Sequence, residues 1–584
     1  MIKFSETVLR IECQLARFKG VITLSNRDLS AYDRRYTQGW QIPDISGSPD
    51  HNLRLLINAR FPYSPMRIAV SPAPPILSWP HLEEHGLLCL RSEQGKHSID
   101  LQIENDIIHR LGEANVLVQE SIRKQNLQDF EDEFQNYWAH WDRKTDLFFS
   151  LCQPETPSRW ISSWHGKDIR LMAEEDKSLL KWMENRYGRE TSTKIQPQRI
   201  PFIWLPRALR PDEFPYNVNA LLTILDKMGV DQKMILQLIK DESLTYKSVL
   251  LGFTGKYGAS LAGVRINALA KSIQKGFRGL PPPDVLMSRY KGAAISGAEV
   301  IRVDGPWVHG RDHNPLESDL SKKSAIIFGI GSIGSAVSEL LIKSGIGRLA
   351  LVDPENLSSE NISRHSLGAS AIGKNKAVEL SRELSRQYPH REIEGHPTTL
   401  EDFVVDIPDA LKKVDIIIST IGSWRAESWL NALALASKSF PPVLYGWTEE
   451  YAAAGHAAVL FHGQGCLRCL TNDIGQIRVP VTQWEADTSL QVPACGAQFQ
   501  PYGAVELSFI HALISGLVLD VLLRRVTKSY RQVWIGQDKF LAGKVKGKWN
   551  PDWTALHGDP HSGGILSGLS ISSDPSCPQC GESR

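Results

Sequence analysis

The 584-residue chain is too long for one hydrophobic core, so about two to four domains are expected. Its 42% apolar and 22% charged content is ordinary for a globular protein. A net charge of +1 lacks the basic footprint of a nucleic-acid or membrane-surface binder, and neither partner is expected.

In chain order, the opening MIKFSETVLRIECQLARFKG has the spacing of an amphipathic helix, with Cys13 on its apolar face. It lacks the apolar stretch and cleavage site of a signal peptide. Short strands, a Pro-rich irregular stretch and further helices, including QDFEDEFQNYWAHW, fill the rest of a first region, 1–155. Region 156–300 is mixed α/β without an assignable motif, and PPPDV marks a loop inside it. Region 301–584 alternates buried strands with helices: AIIF, a Gly-rich turn and a helix, then RLALVD, VDIIIST and PPVLYGWT. That pattern is a doubly wound parallel sheet. The most apolar segment, 508–526, is broken by His511 and Asp520 and reads as a buried helix, so no membrane span is expected. The tail from about 545 reads as loop. A cytoplasmic location is expected, and there eight cysteines are metal ligands, reactive thiols or buried fillers rather than disulfides.

Gly329, Gly331 and Gly334 form G-x-G-x-x-G between a strand and a helix. Glycines there allow close backbone approach to phosphate, and the helix N-terminus offers free N–H groups to the anion. Asp353, ending the next strand, can accept from ribose hydroxyls. By itself the motif suits a nicotinamide oxidoreductase, or a tight turn that binds nothing. Cys466-x-x-Cys469 and Cys577-x-x-Cys580 offer four thiolates in two paired knuckles, the ligand set of a closed, structural tetrahedral zinc site that would pin the tail.

The segment after Asp353, DPENLSSENISRHSLGASAIGKNKA, resembles the ThiF/MoeB/ubiquitin-activating superfamily. The resemblance implies ATP with magnesium in place of NAD. Asp353 and Glu355 fill its two acidic positions, Asn361 and Arg364 contact the triphosphate, and Lys376 neutralises it, in keeping with charge that builds at the α-phosphate. Arg311, with Arg302 as alternative, matches an arginine that reaches the partner subunit's nucleotide, and a homodimer is implied. The family places an Asp after the VDIIIST strand, where it helps to hold magnesium; Gly422 stands in that slot, and Asp415 is no obvious substitute. Cys495 matches the family's catalytic cysteine before a long apolar helix, where a thiolate can displace AMP from an acyl adenylate.

At the other end, FPYSPMRIAVSPAPPILSWPHLEEHGLLCLRSE resembles the active-site stretch of ubiquitin-conjugating enzymes. Phe61-Pro62, Pro65 and Gly86-Leu-Leu-Cys89-Leu90 carry the match. It implies an α+β fold with Cys89 as the acceptor thiol. His81 takes the place of the Asn that steadies the loop and the oxyanion, and His85 is placed to shuttle a proton. Cys152 has no assignment.

A conjugating module first and an activating module last resembles the bacterial fusion proteins of type II CBASS antiphage operons. The resemblance implies adenylation of a protein C-terminus, its passage through Cys495 to Cys89, and its ligation to an amine, with lysine expected. The protein joined would be a cyclic-oligonucleotide synthase. Three readings stand against this one: a MoeB/ThiF-type sulfur-carrier adenylyltransferase without a second thioester, a non-enzymatic scaffold with a decayed site, and the oxidoreductase.

Overall fold

The computed structural model describes residues 4–32, 36–43, 50–90, 103–141, 146–167, 169–241, 244, 247–267, 283–491, 498–542 and 545–581. The chain divides into two compact units. One comprises residues 1–175 and 197–301, the other 176–196 and 302–584.

The first unit begins with the helix Phe4–Leu15 and a four-stranded antiparallel sheet in sequence order: β1 (Ile22–Thr23), β2 (Gln38–Ile42), β3 (Asn52–Ile57) and β4 (Arg67–Ser71). Alternation in β3 sends Leu53, Leu55 and Ile57 into one core, with Ile11, Leu15 and the helix Ile103–Ile122. Leu56 goes to the other face, with Leu24, Leu29 and Tyr32. Cys13 departs from its expected place: it is exposed, because Thr7, Ile11, Gln14 and Leu15 make the buried stripe of that helix. The single helix expected at QDFEDEFQNYWAHW is two, Gln128–Asp132 and Phe134–Trp141.

The region without a motif folds as a closed barrel. Its strands are β5 (Asp146–Ser150), β6 (Arg159–His165), β7 (Arg170–Ala173), β8 (Gln198–Trp204), β9 (Lys247–Gly255), β10 (Gly258–Ile266) and β11 (Ile295–Arg302). They run in the order β10-β11-β5-β7-β6-β8-β9. One core holds Phe148, Ile161, Ile200, Phe202, Leu250 and the fully buried Cys152, which is a filler here. The opposite face of the same strands, with Ile203, Leu251, Phe253 and Val264, packs against the helices Phe134–Trp141, Val218–Lys227 and Lys233–Lys240.

The second unit is built on an eight-stranded sheet. Five strands run parallel: β12 (Ser324–Phe328), β13 (Arg348–Val352), β14 (Glu392–His396), β15 (Ile416–Ser419) and β16 (Val443–Thr448). β17 (Ala454–Leu460) follows, then three short strands outside the sheet, β18 (Thr482–Trp484), β19 (Leu490–Gln491) and β20 (Gln498–Phe499), then β21 (Tyr530–Ile535), the short β22 (Gly547–Trp549) and β23 (Gly564–Ser570). The sheet order is β14-β13-β12-β15-β16-β17-β21-β23, so the expected parallel sheet carries an antiparallel extension of three strands. Both faces of the parallel strands are covered. Ile327 and Ile418 meet the helices Ser332–Lys343 and Ala504–Leu522, while Phe328 and Ile417 face Phe403 and Leu430. The tail is not loop: it forms β22, the helix Pro551–His557 and β23. The helix Ala504–Leu522 is long and apolar enough to cross a membrane by composition, but Leu507, Ile510, Ile514 and Leu517 are buried in the sheet's core.

Candidate active sites

The turn leaving β12 is shaped by its glycines. Gly329 has φ +86°, and a Cβ there would lie 2.8 Å from the Ile421 backbone; at Gly334 it would lie 1.9 Å from the Gly329 carbonyl oxygen. Gly331, which precedes the helix Ser332–Lys343, differs: a Cβ there meets nothing within 4 Å, so this side of the turn is open. Asp353 is buried beside the turn and accepts from the Ile330 N–H at 2.6 Å and the Glu355 N–H at 2.8 Å; burial pushes its carboxyl upward. Lys376, the first residue of the helix Lys376–Gln387, is buried and sets its ammonium 2.5 Å from the exposed Glu355. Asn361 accepts from the Ser358 N–H and hydroxyl through its Oδ1.

His365 is the residue here that sequence reasoning missed. Its Nε2 lies 2.9 Å from the Ile330 carbonyl, and its Nδ1 accepts from the Leu367 N–H at 2.9 Å, which fixes the Nε2–H tautomer. Burial holds it below the usual histidine range. It braces the glycine turn through the Ile330 carbonyl, and nothing in its spacing marked it.

Cys495 lies outside the described residues. The segments on either side are placed: Leu490 and Gln491 pair with Phe499 and Gln498. Arg364 reaches the residues that follow, donating to the Gln500 carbonyl at 3.2 Å with its guanidinium 4.8 Å from the Tyr502 ring centre. One expected phosphate ligand thus holds Gln500 and Tyr502, just after β20. Gly422 has φ +70° with open space around it. The acid beside it is Glu427, which accepts from the Ser419 hydroxyl at 2.8 Å and from the Gly422 N–H; burial pushes this carboxyl upward. Arg302 is buried between Asp304 and Asp312, whereas the Arg311 side chain is exposed, with no ion pair among the described residues.

The two cysteine knuckles come together. All four sulfurs lie within 4.8 Å of one another, with Cys466–Cys469 at 3.8 Å, Cys466–Cys577 at 3.7 Å and Cys469–Cys580 at 3.3 Å. A tetrahedron with metal–sulfur bonds of about 2.3 Å has edges of about 3.8 Å, so the cluster fits zinc. Buried Asn431 ties the knuckles together: its Oδ1 accepts from the Leu467 N–H at 2.9 Å and its Nδ2 donates to Gln579 at 2.6 Å.

In the first unit, Cys89 lines a cavity of about 390 Å³ with Tyr32, His81, Glu84, Glu133 and Tyr137. The loop from β4 to Cys89 is held at several points. Leu87 bridges to Ala69 and Leu88 to Leu82, both neighbours of Cys89 in sequence or across the bend. Leu77, His81 and His85 are in the left-handed region, at φ +68°, +58° and +60°. Each left-handed non-glycine residue costs about 1–2 kcal/mol, so partners must hold it. His81 has them. Its Nε2 is 3.1 Å from Asp129, its Nδ1 3.4 Å from Glu133, its N–H donates to the Tyr137 hydroxyl at 2.9 Å, and its carbonyl accepts the Cys89 N–H at 2.9 Å. His85 is exposed and packs edge-on to Tyr32.

Comparison with known proteins follows the same division. The ThiF family model matches residues 311–541, and that of Prokaryotic E2 family B matches 16–148. The chain is 26% identical over 436 residues to the ATP-dependent ubiquitin transferase-like protein Cap2 of Pseudomonas aeruginosa, spanning 70% of this chain and 75% of that protein. It is 24% identical over 446 residues to the Vibrio cholerae protein of that name, spanning 69% and 73%. To the molybdopterin-synthase adenylyltransferase of Escherichia coli it is 26% identical over 186 residues, 32% of this chain and 73% of that protein.

Proposed function

We propose that this enzyme, a fusion of a ubiquitin-conjugating-like domain with a ThiF domain, adenylates a protein C-terminal carboxylate and transfers it through Cys495 and Cys89 to an amine. The observation that carries the reading is the Cys89 cavity, in a chain that also holds a glycine turn open at Gly331.

ATP fits the turn. Phosphate takes the open side at Gly331 and the helix N-terminus, ribose meets Asp353, and Lys376 supplies positive charge next to Glu355, with Asn361 and Arg364 as further contacts and Arg311 reaching the nucleotide of a partner subunit. Magnesium accompanies the phosphates and offsets their charge; Glu427 is the carboxyl beside Gly422. Zinc fits Cys466, Cys469, Cys577 and Cys580 and ties the tail to the sheet domain. The carboxylate of the substrate attacks the α-phosphate and pyrophosphate leaves. The Cys495 thiolate then displaces AMP, the Cys89 thiolate takes the acyl group by exchange, and an amine releases it as an amide. Glu83, Glu84 and Glu133 around the Cys89 cavity suit an approaching lysine ammonium. The relatives named ATP-dependent ubiquitin transferase-like support the transfer chemistry; a cyclic-oligonucleotide synthase as the protein activated follows from the order of modules, which resembles the CBASS fusion proteins.

Non-reducing gels test the order of transfer, with ATP and such a synthase as substrate. Cys89→Ala is expected to accumulate a thioester on Cys495, and Cys495→Ala to form none. A wild-type thioester that never reaches Cys89 would favour the sulfur-carrier reading. Absence of ATP–pyrophosphate exchange would favour the scaffold.

A further inference from the structure

The slot that resembles the oxyanion-steadying Asn holds His81, and both of its ring nitrogens are directed at Asp129 and Glu133. The ring is therefore occupied as a loop anchor. The same residue joins two other groups by its backbone: its carbonyl accepts the Cys89 N–H, and its N–H donates to the Tyr137 hydroxyl. A phenol oxygen that accepts in this way still has its own proton to donate. No acceptor for that proton is found among the described residues, and Tyr137 lines the cavity with Cys89.

We propose that the Tyr137 hydroxyl is a catalytic group of the Cys89 centre, donating to the carbonyl oxygen of a Cys89 thioester as an amine attacks it. The inference rests on the reading of Cys89 as acyl acceptor. In the step, the amine nitrogen bonds to the thioester carbon and the carbonyl electron pair moves onto oxygen, which Tyr137 steadies. Collapse of this intermediate breaks the carbon–Sγ bond. The amine gives up its proton to solvent, and Cys89 leaves as the thiolate, so that the products are an amide and the free Cys89 thiolate. A donor placed in advance costs no reorganisation as charge develops, and loss of one such donor slows acyl transfer by about 10²–10³-fold. Burial, with the negative charges of Glu133, Asp129 and Cys89, raises the phenol above its ordinary value and keeps its proton in place across the working pH range. Tyr137 is 7% exposed and sits on the helix Phe134–Trp141. The neighbouring side chains Phe134 and Trp138 pack in the barrel-facing core, which gives this donor a fixed mounting.

The test uses the full chain carrying Cys13→Ser and Cys495→Ala. Cys89 is loaded by exchange with a fluorescein-labelled peptide α-thioester, and the label is then discharged with L-lysine. Tyr137→Phe keeps the ring and removes the donor. The expected result is loading equal to the parent, discharge at least about 10-fold slower, and an unchanged lysine concentration at half-maximal rate. Discharge at the parent rate overturns the proposal. Should Tyr137→Phe fail to load, 3-fluorotyrosine at position 137, a more acidic phenol of nearly the same shape, decides. Faster discharge than the parent supports the role, and an unchanged rate overturns it. Label that persists in Cys89→Ala overturns the acceptor assignment itself, which is a separate result.

Discussion

Gly331 and Gly334 sit three positions apart in one motif, yet the space around them assigns them opposite duties. At Gly334 an added methyl would lie 1.9 Å from a backbone oxygen; at Gly331, which has φ −87°, it would meet nothing. Gly334→Ala is therefore expected to cost at least about 2 kcal/mol by overpacking, a fall of about 4–8 °C in a calorimetric transition. Gly331→Val is expected to melt with the parent and to lose ATP binding by titration calorimetry, because its side chain enters the space left for phosphate. A Gly331→Val protein that binds ATP as the parent does would remove the turn from the nucleotide site. The motif was legible in the sequence because strand, turn, helix and acid stand in register over few residues. His81 was legible only by position. The partners that turn its ring, Asp129 in the helix Gln128–Asp132 and Glu133 just after it, lie far along the chain, and no local spacing announces them.

The same contrast holds for whole elements. β12, β13, β15 and β16 were readable because strands covered on both faces give continuous apolar runs. The barrel was not. Its pairings join β11 to β5 and β8 to β9 across long stretches of chain, and no turn chemistry specifies them. The helix Phe134–Trp141 shows what the barrel contributes to the site. One side of it carries Tyr137 to the Cys89 loop. Trp138 stacks on Phe134 with ring centres 5.2 Å apart and donates from its indole N–H to the Ala298 carbonyl of β11 at 3.0 Å. Trp138→Ala removes a buried aromatic and orphans that carbonyl, and is expected to destabilise this unit by about 3–5 kcal/mol. It should also slow lysine discharge from Cys89, although the side chain is not in the cavity lining. Normal discharge from a protein measurably destabilised in urea would show that the mounting has slack and that Tyr137 finds its place without the barrel.

At the scale of the whole molecule, the question is whether one chain suffices for adenylation. Arg302 is consumed by Asp304 and Asp312, whereas Arg311 is exposed in the segment leading to β12, at φ +51° and with no ion pair among the described residues. An arginine left in this way has its charge available to another molecule, and a two-fold dimer would place two such arginines symmetrically. If each nucleotide site is completed by the partner's arginine, Arg311→Ala and Gly331→Val are each expected to lose ATP–pyrophosphate exchange, through different halves of the site. Mixed after subunit exchange, a heterodimer restores one site: the Arg311→Ala chain keeps its glycine turn and borrows the arginine of the Gly331→Val chain. With half of the dimers mixed and one of two sites repaired in each, recovery should approach about one quarter of the parent rate. An arginine acting within its own chain gives no recovery at any mixing ratio. A monomer by sedimentation that still exchanges pyrophosphate at the parent rate removes the need for a partner altogether. The mixing experiment needs neither thioester, so its outcome bears on the nucleotide site alone and leaves the transfer from Cys495 to Cys89 to be judged by the gels.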